Sequence, residues 1–100
     1  MSTQIVGLDG IRWRWYQHAM LTPEQSRAAR GWLDWSQDHL AKLAHVSLST
    51  VRDFEKGRRI PIGNNLTAIQ RAFDEAGLAM AFDPNGKPTG VVVKENIRQN

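Results

Sequence analysis

The groups in this 100-residue chain best suited to bond-making chemistry are spaced against it. His39 and His45 lie too far apart to share one helical face, and His18 stands alone. Asp74 and Glu75 are adjacent, so on a helix they diverge and cannot act as a paired acid and base. Without cysteine there is no thiolate nucleophile, no disulfide framework and no thiolate-held zinc. Neither a Gly-rich phosphate loop nor an HExxH pair is present. Enzyme activity, a metal and a cofactor are therefore not expected. What remains is recognition chemistry: between Ser47 and Arg59, hydroxyls, cations and a few carboxylates alternate with buried-type residues.

Composition sets the frame for those groups. Apolar residues make up 41% and charged residues 23%, the balance of a globular chain rather than a disordered one. One hundred residues suffice for one core but not two. No apolar run is long enough to span a bilayer or serve as a secretory signal, so a cytoplasmic, non-membrane protein is expected. The net charge of +3 permits an anionic partner without requiring one.

Three zones divide the chain. Residues 1–21 form an N-terminal arm, 22–77 carry helical periodicity, and 78–100 turn strand-like around the turn formers Asp83, Pro84, Asn85, Gly86, Lys87 and Pro88. Thr22-Pro23-Glu24-Gln25 reads as a helix start in which Thr caps, Pro fits the first position and Gln returns a bond to the cap. That helix should reach Leu33, held by Ala29 and Leu33 against the cost of Gly31. Ser36 caps a second helix, with Leu40, Ala41 and Ala44 on its inner stripe, ending near His45. Ser47 caps a third, anchored by Val51 and Phe54, exposing Leu48, Ser49, Arg52, Asp53 and Lys56, and stopped by Gly57. Asn64 or Asn65 is expected to cap a fourth that buries Leu66, Ile69 and Phe73 and ends at Gly77.

Two helices of this length joined only by His45, Val46 and Ser47 make a helix-turn-helix signature. The series Ser36-Gln37-x-x-Leu40-Ala41-x-x-Ala44-x-Val46-Ser47-x-Ser49-Thr50-Val51-x-x-Phe54-Glu55-x-Gly57-x-Arg59-x-Pro61 resembles the lambdoid-repressor, or XRE-type, helix-turn-helix family over residues 22–77. Asp34 and His45 stand where many relatives have Gly; both types tolerate left-handed turns. The resemblance implies a mainly α fold, a compact domain of four to five helices, here extended by a C-terminal β-hairpin. It also implies that the third helix enters the DNA major groove.

Roles follow from that resemblance, position by position. Leu48, Ser49, Thr50, Arg52 and Asp53 would form the base-reading surface: Leu against a thymine methyl, Arg forked onto guanine, Asp accepting from cytosine. Gln37, Lys42, Lys56, Arg58 and Arg59 would hold phosphates. Glu55 would repel phosphate and instead pairs with Arg30 as a partly buried structural bridge. From Arg27 to Arg59, seven cations face four carboxylates. So small an excess binds weakly as a monomer, and a homodimer on a two-fold site is expected.

The tail offers Met80, Phe82, Val91, Val92 and Val93 as dimerisation residues, because a lone hairpin is marginal and successive valines put apolar groups on both faces. The alternative is that the hairpin covers its own fourth helix. In the arm, Arg12, Trp13, Arg14, Trp15 and Tyr16 suggest a DNA-touching arm, a strand completing the tail's sheet, a protein-binding patch or a loose extension. The leading expectation is a transcriptional regulator on double-stranded DNA, with repression the default. Its rivals are the DNA-binding antitoxin of a toxin pair and a protein adaptor without DNA affinity.

Overall fold

The computed structural model describes residues 20–94; the readings made for residues 1–19 lie outside the described residues. Four helices and a hairpin follow one another: α1 (Pro23–Leu33), α2 (Gln37–Ala44), α3 (Leu48–Glu55), α4 (Gly63–Glu75), β1 (Leu78–Phe82) and β2 (Pro88–Val93).

Local chemistry sets the ends of the first three helices. The Thr22 hydroxyl accepts from the Gln25 amide at 3.2 Å while Gln25 Oε1 accepts from the Thr22 N–H at 3.1 Å, closing a capping box on α1. Ser36 accepts from the His39 N–H at 2.9 Å and Ser47 from the Thr50 N–H at 3.1 Å. Each such cap contributes about 1 kcal/mol. Asp34 and His45 close α1 and α2 in left-handed geometry, both at φ 58°.

The fourth helix departs from expectation. It begins at Gly63 with Ile62 as its cap residue and no side-chain capping bond, so neither Asn64 nor Asn65 is the cap. Pro61 is buried and fixes how the chain enters, and the Ile62 carbonyl accepts from the Asn65 and Leu66 N–H groups. A fixed approach path thus starts the helix before the asparagines.

These helices are too short to persist alone and share one core. Ala29 of α1, Leu40, Ala41 and Ala44 of α2, Val51 and Phe54 of α3, and Leu66, Ile69, Ala72 and Phe73 of α4 are buried together. Leu21 is buried with them, and its N–H donates to Gln70 Oε1 at 3.3 Å, so the helical unit extends one residue into the expected arm. Trp35, between α1 and α2, stacks on Phe73 with ring centroids 5.8 Å apart.

The hairpin belongs to the same body. Its strands pair antiparallel with Leu78 opposite Val93, Met80 opposite Val91, and a bulge beyond Ala81. Leu78 lies in the core, with Met80 and Val91 packed against it. β1 packs on α4 and β2 on α1, so the hairpin covers its own helices. Val92 and Val93 remain 50% and 53% exposed.

Candidate nucleic-acid interface

α3 is presented by the turn before it. His45 ends α2 with its N–H directed at the Lys42 carbonyl, and the Val46 N–H bonds the Ala41 carbonyl at 3.0 Å. Ala41 is small and buried, and Val46 packs against the core from the corner. The chain therefore reverses within three residues and releases α3 at a fixed angle.

The inner face of α3 is Val51, Phe54 and Glu55, all buried. Its outer face is Ser49 and Arg52, continued at helical spacing by Lys56 at its C-terminal cap, and all three are exposed. Leu48 differs from the expected reader: it is half-buried and packed against the core, because it lies one turn before Val51 on the inward side. Thr50 is also half-buried, its hydroxyl 2.8 Å from that of Ser47. Asp53 lies 3.7 Å from Arg58 in an ion pair, and the Arg58 N–H donates to the Asp53 carbonyl at 2.9 Å. Lys42 forms an exposed pair with Asp38 at 3.3 Å, worth little in water. Arg52, Lys56 and Arg59 are exposed and stand in no ion pair among the described residues.

Behind this surface, Glu55 organises the fold. Its Oε1 accepts from Arg30 Nη2 at 2.8 Å and from Gln37 Nε2 at 3.1 Å. Its Oε2 accepts from Arg30 Nε at 3.0 Å and from the Ser26 hydroxyl at 2.5 Å. Arg27 Nη1 donates to the Glu55 main-chain carbonyl, and Arg30 Nη1 donates to the Trp35 carbonyl at 3.0 Å. One carboxylate at the end of α3 thereby ties together α1, the start of α2 and the intervening turn. Burial pushes its pKa up, but donation from Arg30, Ser26 and Gln37 together with the Arg30 charge outweighs that and leaves it below the ordinary glutamate value.

Two of these partners have roles that the sequence reading did not assign. The sequence pattern gives Ser26 no role, and the family resemblance places Gln37 on a phosphate, whereas its amide donates to Glu55. The signal for both was available in part: buried carboxylates need several donors, and α1 and the first turn of α2 are the nearest elements. Lys56 and Arg59 follow α3, whereas Met80, Phe82 and Val91 are at least half-buried within the chain. Among the described residues no cluster of His, Asp and Glu could hold a metal ion, and no helix is long and apolar enough to cross a membrane.

A turn-linked helix pair with its second helix braced from behind and polar in front defines the helix-turn-helix class. The helix-turn-helix family model matches residues 27–76, and the chain belongs to that family, in its XRE-type branch. Among solved structures, the chain is similar to the solution NMR structure of the DNA-binding domain of the P22 C2 repressor. The two share 32% identity and a TM-score of 0.50, over 57% of this chain and 75% of that one. No curated protein matches the chain.

Proposed function

We propose that the protein is a sequence-specific DNA-binding transcriptional regulator that occupies a two-fold operator as a homodimer, with α3 in the major groove. The observation that carries this reading is the outer face of α3. Ser49, Arg52 and Lys56 point away from a helix whose opposite face is fixed by Val51, Phe54 and the Glu55 network. A rigid helix with one guanidinium and one hydroxyl outward suits base edges, which demand placement to within a hydrogen-bond length. The flanking cations Lys56 and Arg59 suit phosphates, and Arg58 joins them once DNA draws it from Asp53.

Likeness to a repressor's DNA-binding domain supports the same reading and favours repression by promoter occupancy. Dimerisation follows from the arithmetic of charge. Three or four phosphate contacts per protomer give weak binding, whereas two protomers on one site double the contacts at little extra entropic cost.

Footprinting on the DNA upstream of the protein's own gene, over a salt series, tests the proposal. The expected result is a protected two-fold site whose half-sites lie about 34 Å apart, with affinity falling steeply as salt rises. Binding to no DNA at any salt would leave the adaptor reading in its place.

A further inference from the structure

We infer that the edge of β2 left open among the described residues pairs with the same edge of a second copy of this chain, in an antiparallel register centred on Val92. This deepens the homodimer reading above by giving it a surface and a register.

The hydrogen-bond parity of the hairpin fixes which groups point outward. The Lys94 N–H donates to the Gly77 carbonyl at 2.8 Å, so that pair faces inward across the ladder. Antiparallel pairs alternate, and the register places Leu78 opposite Val93, Ala79 opposite Val92 and Met80 opposite Val91. Val92 therefore bonds towards β1, while the N–H and C=O groups of Val91 and Val93 point out along the free edge of β2. Those of Leu78 and Met80 point out along β1.

The two edges are not equivalent. Leu78 is buried, and the rest of β1 is at least half-covered. β2 leaves Val92 and Val93 about half exposed, and the sheet has two strands among the described residues. Natural sheets protect such edges with charges, interior prolines or a covering element. From Thr89 to Val93 β2 has no charge and no proline, and its bulge falls at Thr89, so Val91 to Val93 carries none of these protections.

A second copy matches that edge in charge and shape. With Val92 opposite the partner's Val92, residues 91 and 93 exchange four main-chain bonds across the two-fold axis. Lys94 would then face Gly90 of the other copy, which has no side chain to obstruct it. Its ammonium is paired with Asp74 at 2.6 Å, which offsets part of its charge where the two edges meet. The valines at the centre add a cross-strand apolar contact.

The chain has no cysteine, so a single Val92→Cys substitution reports the register cleanly. In a non-hydrogen-bonded antiparallel pair the two Cα atoms lie about 4.5 Å apart, within disulfide reach. Under mild oxidation the full-length V92C protein should form disulfide-linked dimers at least about tenfold faster than the Thr67→Cys protein, whose site is exposed on α4. Val93→Pro removes an edge donor that β1 does not use. It should weaken dimerisation about tenfold by sedimentation while leaving unchanged the melting temperature read at concentrations too low for pairing.

Equal cross-linking of the two cysteine proteins, or an undiminished dimer in V93P, overturns the inference. If V92C fails to cross-link yet the wild type still footprints a two-fold site, the operator reading stands and this interface falls. Rapid V92C cross-linking without DNA binding gives the reverse result. A heterodimer formed through β2 with an unrelated chain, and no self-pairing, also overturns it.

Discussion

The carboxylate of Glu55 and the guanidinium of Arg30 meet at 2.8 Å although 25 residues separate them in the chain. The glutamate side chain is 1% exposed and the arginine 20%, so only the cation retains contact with water. The pair holds the last turn of α3 to the last turn of α1, the constraint that sets how far α3 projects.

Replacing one partner of such a pair strands the other. Arg30→Ala should cost about 3–5 kcal/mol, because the buried carboxylate keeps its desolvation penalty and loses its counter-charge. Urea unfolding monitored by Trp fluorescence reads this loss. Glu55→Gln removes the charge but keeps the shape and should cost less.

The same carboxylate predicts acid sensitivity. Its pKa is lower folded than the ordinary 4.5, so the folded state binds the proton less readily than the unfolded state. The stabilisation is complete above that ordinary value and is lost as pH falls through the lower, folded value. Melting temperatures measured from neutral pH into this acid window should fall more steeply for the wild type than for E55Q.

Gln25 offers a test of the hairpin's attachment. Its amide nitrogen donates to the carbonyls of Ala81 and Gly90, each at 3.0 Å, while its oxygen serves the capping box. Gln25→Leu should destabilise the domain by about 1–3 kcal/mol by leaving the Thr22 N–H without its bond. Hydrogen exchange should rise first in β1 and β2, and a uniform rise across α3 would contradict this assignment.

On the DNA side, Arg52 and Arg58 should divide. Arg52→Ala is expected to relax base preference at one position in each half-site, at a cost of about 1–3 kcal/mol. Arg58→Ala should weaken all sequences alike and reduce the salt slope by about one per protomer. Competition binding with single-base operator variants separates the two effects.

His45 provides a gain rather than a loss. It is exposed and held at φ 58°, where a Cβ is disfavoured. His45→Gly should stabilise the fold by about 0.5–1 kcal/mol, with DNA affinity unchanged. A drop in melting temperature would mean that the imidazole makes a contact of its own.

Much of the fold was legible in the sequence wherever a feature depends on neighbours three or four residues away. Thr22, Ser36 and Ser47 cap within their own first turn, and Asp34 and His45 close turns by their own backbone geometry. The start of α4 escaped this reasoning because buried Pro61, not a polar cap, fixes it. Leu48 escaped as well: its residue type suits a base methyl, and only the orientation of α3 against the core turns it half inward.

By itself, the sequence determined the helix-turn-helix frame, since helical period and capping are local properties of the chain; of the exposed set it predicts on α3, Ser49, Arg52 and Lys56 are exposed, and packing leaves Leu48 and Asp53 half-buried. Only the tertiary structure decided that Ser26 and Gln37 join Arg30 on Glu55, and that Gln25 holds Gly90 from 65 residues away. A buried polar group must find donors wherever packing brings them, and distance along the chain places no limit on which residues supply them.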